Sequence, residues 1–260
     1  MHHIPLSYQA FGDFPRREEG PKIQYMLATS PRCGSTYVAL LLWRSGVLGA
    51  PMEYLNFDNI NGIVDRLGNG CISSYWEEVR RVRASPNGVF GYKIFFGNYA
   101  STLKREPMLL EQISANFAIF LRRRDKIAQA ISHFRAMQTQ SWFAGVPERV
   151  APSYDFKGLL NYYRHAHRQD EKWERVFSLT QTDPLRLFYE DIMGDPQGAL
   201  SAICSFLGVE ANPDAQIERI ALTKPQRDSM TEDWMGRFKA DLEASDGEVG
   251  ADAAPLTLAV

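Results

Sequence analysis

The sequence predicts a three-layer α/β fold, with a central, mainly parallel sheet flanked by helices. Three observations carry that prediction. Residues 25–29 are a short run rich in apolar residues that passes through a small polar loop into strong helix formers at 36–43. Residues 116–121, Asn-Phe-Ala-Ile-Phe-Leu, are almost continuously apolar, as in a central strand buried on both faces, and lead into a second helical stretch. Strand and helix patterns then keep alternating, which points to a parallel sheet with helical crossovers.

Residues 1–20 are mixed in character and punctuated by proline, so an irregular arm is expected before a single domain over 21–243. After the first helix, Gly46, Gly49 and Pro51 stop the helical pattern and lead into Met52-Glu53-Tyr54-Leu55-Asn56. Residues 74–84 have helical spacing with Tyr75, Val79 and Val82 on one face. Pro86-Asn87-Gly88 predicts a turn, and residues 89–96 a strand whose one charge is Lys93. Residues 57–71 and 145–155 are read as loops, and 106–113 as a short helix.

Asp125 is expected to cap a helix running to about residue 142, with Ile127, Ala130, Ile131, Phe134 and Met137 at helical spacing. Asp155 caps the next, 156–177, and residues 184–191 read as a strand and its exit. Asp195-Pro196 supplies an N-cap and a first-turn proline for a helix that stops at Gly208. Residues 215–222 look helical, 224–228 form a basic polar loop, and 231–242 form the last helix. The tail at 244–260 is small, acidic and without pattern, and is expected to be disordered.

With 260 residues, 45% of them hydrophobic and 23% charged, the chain is long enough to bury a full core. A net charge of −2 gives no bulk attraction to nucleic acid or to an anionic membrane, so an anion site must come from local clustering. No apolar run approaches the roughly 20 residues that cross a bilayer. The opening residues lack the basic-then-apolar layout of a secretory signal. Three widely spaced cysteines, Cys33, Cys71 and Cys204, form neither a metal pattern nor a disulfide framework. A soluble, cytoplasmic protein without a metal is expected.

A strand-loop-helix unit aims backbone N–H groups and the positive end of the helix dipole at an anion over the helix N-terminus. The NTPase form of such a loop, G-x-x-x-x-G-K-[ST], would need glycine at Thr29 and lysine at Ser35. Neither is present, which weighs against a nucleotide-dependent kinase or NTPase. Gly34 permits close backbone approach, Ser35 and Thr36 add hydroxyl donors, and Arg32 brings a fixed charge with forked donors. That set suits a terminal 5′-phosphate. The plain alternative is an ordinary strand-to-helix turn. A second crest, Arg122-Arg123-Arg124, follows the 116–121 strand, at the carboxyl end where open parallel sheets bind ligands. Its plain alternative is a solvated charged turn.

These pieces together resemble the sulfotransferases that use 3′-phosphoadenosine 5′-phosphosulfate (PAPS), which have a P-loop-like three-layer α/β fold. Ser30-Pro31-Arg32-Cys33-Gly34-Ser35-Thr36 resembles their 5′-phosphosulfate loop, and Arg123-Arg124-Asp125 with Ser132 resembles their 3′-phosphate site. Residues 187–192, then Asp195-Pro196 and Phe206-Leu207-Gly208, are similar to their late strand and helix. Within the superfamily the likeness is to the bacterial trehalose 2-sulfotransferase group, through Pro51-Met52-Glu53-Tyr54, residues 86–93, Gln129-Ala130-Ile131-Ser132, residues 134–139 and Gln226-Arg227.

The resemblance implies sulfuryl transfer from PAPS to a hydroxyl of a carbohydrate or glycolipid, trehalose among the candidates, with no metal. It assigns Glu53 as the base that accepts the acceptor proton and Arg32 as the cation that neutralises charge on the leaving phosphate. Lys93 would be a second cation near the sulfuryl group. Ser30, Arg32, Cys33, Gly34, Ser35, Thr36, Arg123, Arg124, Ser132 and Arg227 would bind the donor, with either Arg123 or Arg124 gripping the 3′-phosphate. His133, next to Ser132, is the fallback base. A homodimer is expected from the same likeness, and a catalytically silent nucleotide-binding module is the remaining alternative.

Overall fold

Residues Ile23–Thr29 form β1, and all but the first are buried. This strand pairs in parallel with β2 (Val89–Phe95) on one side and β3 (Phe117–Arg122) on the other. Strand β4 (Leu185–Phe188) adds in parallel to β3, giving the order β2-β1-β3-β4. The computed structural model describes residues 10–58, 60–142, 146–213, 215 and 228–246. Among these, helices α1 (Ser35–Arg44), α2 (Asn61–Gly68) and α3 (Ile72–Val82) lie between β1 and β2 in sequence, and α4 (Phe96–Arg105) and α5 (Leu110–Ile113) between β2 and β3. Next come α6 (Lys126–Thr139) and α7 (Phe156–Leu179), then β4, α8 (Tyr189–Gly194), α9 (Pro196–Leu207) and α10 (Ser229–Asp246).

Successive strand residues point to opposite faces, and both faces are covered here. Met26, Ala28, Phe90, Tyr92, Ile94, Ala118 and Phe120 pack with Trp76 of α3 and with Trp173 and Phe177 of α7. Tyr25, Leu27, Ile119 and Leu121 pack on the other side with Val38, Leu41 and Leu42 of α1 and with Leu200 and Ile203 of α9. A layer of helices on each face makes the three-layer arrangement that the continuously apolar strands predict.

The chain divides into two compact units, residues 1–124 with 167–223 and residues 125–166 with 224–260. The sheet belongs to the first. In the second, α6, the N-terminal part of α7 and α10 bury Ile131, Phe134, Leu159, Tyr163, Trp234 and Phe238 among themselves. Arg135 of α6 donates to Asp228 (2.8 Å) and Thr231 (3.0 Å), fixing the start of α10.

The expected caps form. Asp125 accepts from the Ala128 amide at 2.9 Å, Asp155 from the Gly158 amide at 3.0 Å and Asp195 from the Gly198 amide at 2.8 Å. Three local expectations are corrected. The 57–71 stretch holds α2, whose residues Asn61, Gly62 and Gly68 read as loop formers, although Gly68 is needed because a Cβ there would lie 2.5 Å from Tyr75 Cβ. Phe96 ends no strand but starts α4, and the helix expected at 106–113 is a 3-10 turn followed by the single turn of α5. Helix α6 stops at Thr139 rather than near 142, because Gln140 adopts a left-handed conformation (φ 56°). The helix expected at 215–222, most of the 224–228 loop, the first nine residues and the tail beyond 246 fall outside the described residues, apart from Ala215 itself.

Candidate functional site

Strand β1 delivers the chain to its loop at Thr29, where several groups fix the exit. The Trp173 indole donates to the Thr29 carbonyl at 2.9 Å, and the Thr29 hydroxyl donates to the Leu121 carbonyl at 3.2 Å, while Cys33 Sγ lies 2.6 Å from the same hydroxyl. Ser30 and Cys33 are fully buried, and Ser35 nearly so. Cys33 is thus part of the scaffold under the loop. Arg32 (φ 62°) and Gly34 (φ 84°) are both left-handed, a backbone form that turns successive N–H groups toward one concavity. Gly34 also lies so close to Tyr189 that a Cβ there would sit 2.1 Å from the ring. Helix α1 starts at the next residue, Ser35, so Ser35 and Thr36 stand in its first turn beside the positive end of the dipole.

The mid-chain arginines arrive one strand away, at the end of β3. Arg123 donates from Nη1 to the Arg32 carbonyl at 3.2 Å, and its guanidinium lies 5.7 Å from the centre of the Tyr189 ring. Glu190 reaches its Nε only at 3.9 Å. Burial, with the neighbouring Arg123 charge as a second cause, pulls the Arg32 pKa down to about 10. Arg124 is committed elsewhere, to Asp191 through both terminal nitrogens (2.5 and 2.7 Å), and it stacks over Phe188 at 4.1 Å. Arg122 stacks over Phe188 at 4.7 Å. Arg122 and Arg124 thus share Phe188, while Arg123 reaches the loop.

Glu53 lies on a segment laid along the outer edge of β2. The Lys93 amide donates to the Met52 carbonyl at 2.9 Å and the Ala50 amide to the Arg83 carbonyl at 3.0 Å. The Tyr75 hydroxyl donates to the Tyr54 carbonyl at 2.9 Å, and the Tyr54 hydroxyl to the Ala50 carbonyl. This pinning places Glu53 Oε1 2.9 Å from Lys93 Nζ, with Lys93 only 4% exposed. Asn56 donates its amide to Glu53 Oε2, also at 2.9 Å. Lys93 stands opposite Leu27 in the register, two residues before β1 ends at Thr29. The ion pair thus sits near the carboxyl end of the sheet, on the strand next to the one that feeds the loop.

Ser132 lies on α6, in the second unit, and is half-buried. His133 packs edge-on against Tyr162, with ring centres 4.7 Å apart. Arg227 falls outside the described residues. Among the described residues no group of three or more His, Cys, Asp or Glu side chains could hold a metal ion. Asn56 and Tyr189 were not singled out from the sequence. Tyr189 had a usable signal, its place within the stretch 184–191 that reads as a strand and its exit.

The family model described as Stf0 sulphotransferase matches residues 24–241, which is most of the chain. The chain belongs to the Stf0 sulphotransferase family. Two trehalose 2-sulfotransferases are similar to this Stf0 protein. That of Mycobacterium tuberculosis (strain ATCC 35801 / TMC 107 / Erdman) is 22% identical over 257 residues, covering 84% of this chain and 94% of the relative. That of Mycolicibacterium smegmatis (strain ATCC 700084 / mc(2)155) is 22% identical over 261 residues, covering 84% and 95%. A mouse sulfotransferase solved in complex with PAP aligns over 90% of this chain and 83% of its own, with a TM-score of 0.50 and 18% identity, so the two share the sulfotransferase fold. No helix among the described residues is long and apolar enough to cross a membrane.

Proposed function

We propose that this Stf0 sulfotransferase transfers a sulfuryl group from PAPS to a hydroxyl of a carbohydrate, with trehalose the first acceptor to try because both curated relatives carry that name. The observation that carries the reading is the 3.2 Å contact from Arg123 to the Arg32 carbonyl, which joins the crest after β3 to the loop after β1. A doubly phosphorylated nucleotide needs two anion-binding points on one surface, and two adjacent arginines beside a left-handed loop fit that need. The lowered Arg32 pKa supports it too, since a bound anion offsets both of its causes.

PAPS supplies an activated sulfuryl group on a good leaving phosphate. In the transfer, the acceptor oxygen forms a bond to sulfur while the bridging S–O bond breaks, its electron pair leaving with adenosine 3′,5′-bisphosphate. The acceptor proton passes to Glu53. Arg32, with the loop amides, Ser35 and Thr36, stabilises charge on the leaving phosphate. Arg123 takes the 3′-phosphate end. Lys93 holds Glu53 by charge and adds positive charge near the transferred group. Alignment and charge stabilisation do most of the work, as in phosphoryl transfer.

The test is transfer of labelled sulfate from PAPS to trehalose and a panel of hexosides, without added magnesium, paired with a thermal-shift titration with adenosine 3′,5′-bisphosphate. Sulfated sugar and a thermal shift are expected, and Glu53→Gln keeps the shift while losing transfer. A shift with magnesium-ATP and none with the bisphosphate would overturn the reading in favour of a kinase or NTPase. A shift with the bisphosphate and no transfer to any acceptor would leave only a binding module.

A further inference from the structure

We infer that Asn56 is a positioning residue for the Glu53 carboxylate, holding its plane while Lys93 supplies the charge. This rests on the reading of Glu53 as the base. A glutamate carboxylate turns readily about its last torsion. A lysine ammonium is a compact charge with rotatable donors, so it attracts a carboxylate without choosing that rotation. An asparagine amide is planar and directional.

The two donors meet opposite oxygens of Glu53, Lys93 on Oε1 and Asn56 on Oε2, both at 2.9 Å. Asn56 is also well held. Its backbone N–H donates to the Glu53 carbonyl at 3.2 Å, closing a turn, and the preceding Leu55 carbonyl accepts from Asn98 at 3.3 Å. Buried Tyr54 and Leu55 anchor the same turn in the core. With both oxygens held at once, the arrangement fixes the direction of the carboxylate.

A double-mutant cycle tests this, read as kcat for sulfate transfer from PAPS to trehalose and the hexoside panel. It is combined with crystal structures of the wild type and Asn56→Ala grown with adenosine 3′,5′-bisphosphate. Asn56→Ala and the isosteric Asn56→Asp are expected to lower kcat about 10- to 100-fold, leaving the donor KM and the thermal response to the bisphosphate near wild type. Adding Asn56→Ala to Glu53→Gln slows the enzyme no further, because Asn56 acts only through Glu53. In the crystals the Glu53 carboxylate is rotated or spread over several positions in Asn56→Ala and single in the wild type. Unchanged kcat, additive losses in the double mutant, or an identical Glu53 carboxylate in both crystals would overturn the inference. If the wild type transfers no sulfate, the base reading fails on its own, while the crystal comparison still decides whether Asn56 holds the carboxylate.

Discussion

Replacing Arg32 with glutamine is expected to make the ligand-free protein as stable as the wild type or more so, and to remove most of its response to nucleotide. Burial first and the Arg123 charge second pull the Arg32 pKa down from the ordinary guanidinium range to about 10. A folded-state pKa below the unfolded one means that the charged form is disfavoured by folding. The cost is fully present below about pH 10 and fades as pH rises above it toward the ordinary guanidinium range. At roughly 1.4 kcal/mol per unit, it amounts to about 3 kcal/mol at neutral pH as an upper limit, because the residue keeps some contact with water. Glutamine removes the charge and keeps a polar stem. After lost packing and hydrogen bonds, a net gain of about 0–2 kcal/mol is expected, a rise of up to about 8 °C in Tm for a chain of this size. The wild type with adenosine 3′,5′-bisphosphate at 100 times its Kd gains about 2.7 kcal/mol, or roughly 5–11 °C. Losing a charge-assisted contact worth about 1.5–3 kcal/mol erases most of that gain. Differential scanning fluorimetry with and without the bisphosphate measures both quantities. A ligand-free Tm several degrees below wild type, or an undiminished ligand shift, would refute the idea that Arg32 is held in place for an anion.

Arg123→Ala is expected to weaken the bisphosphate by about 10- to 100-fold in calorimetric titration, whereas Arg124→Ala, which breaks the pair with Asp191 and the stacking over Phe188, changes it less than about threefold. An equal loss from both would return the 3′-phosphate to Arg124. Gly34→Ala puts a Cβ 2.1 Å from Tyr189 at a φ of 84°, so urea unfolding should show a loss of about 2–4 kcal/mol; a loss below about 1 kcal/mol would mean that Tyr189 moves aside freely. Asp228 has its pKa lowered to about 2, chiefly by its hydrogen bonds from Arg135. Its stabilisation is therefore present above about pH 4 and lost as pH falls toward 2. With the carboxylate half-exposed it is worth only about 1 kcal/mol, and Asp228→Asn should lower Tm by about 2–4 °C at pH 7 with the gap closing by pH 2. A gap that survives at pH 2 would mean that the substitution acts through packing.

What could be read from the sequence follows the range over which each cause acts. A capping aspartate works within three residues, so Asp125, Asp155 and Asp195 announce their helices directly. Strands β1 and β3 are buried on both faces, and their composition says so without help from any partner. Helix α2 fails the same test because asparagine and glycine are poor helix formers. It forms against α3, where Gly68 admits the Tyr75 backbone. Which partners Arg123 and Arg124 take could not be local at all. It depends on Asp191, 67 residues later in the chain, claiming one guanidinium, and on Tyr189 and the Arg32 carbonyl facing the other.

The same argument explains why Glu53 was legible only through a resemblance, while Asn56, three residues on, was not legible. Neither residue has a pattern of its own, and what gives them meaning is a buried lysine on β2 and a segment pinned by Tyr54 and Tyr75. A lysine so nearly enclosed needs a counter-charge, and Glu53 meets that need whether or not it ever receives a proton. Structure and chemistry therefore place different demands on the pair. If the ion pair were structural alone, Glu53→Gln would cost stability and transfer in proportion. A base held by Lys93 and Asn56 instead loses transfer far beyond its loss in Tm, and the ratio of the two losses separates the roles.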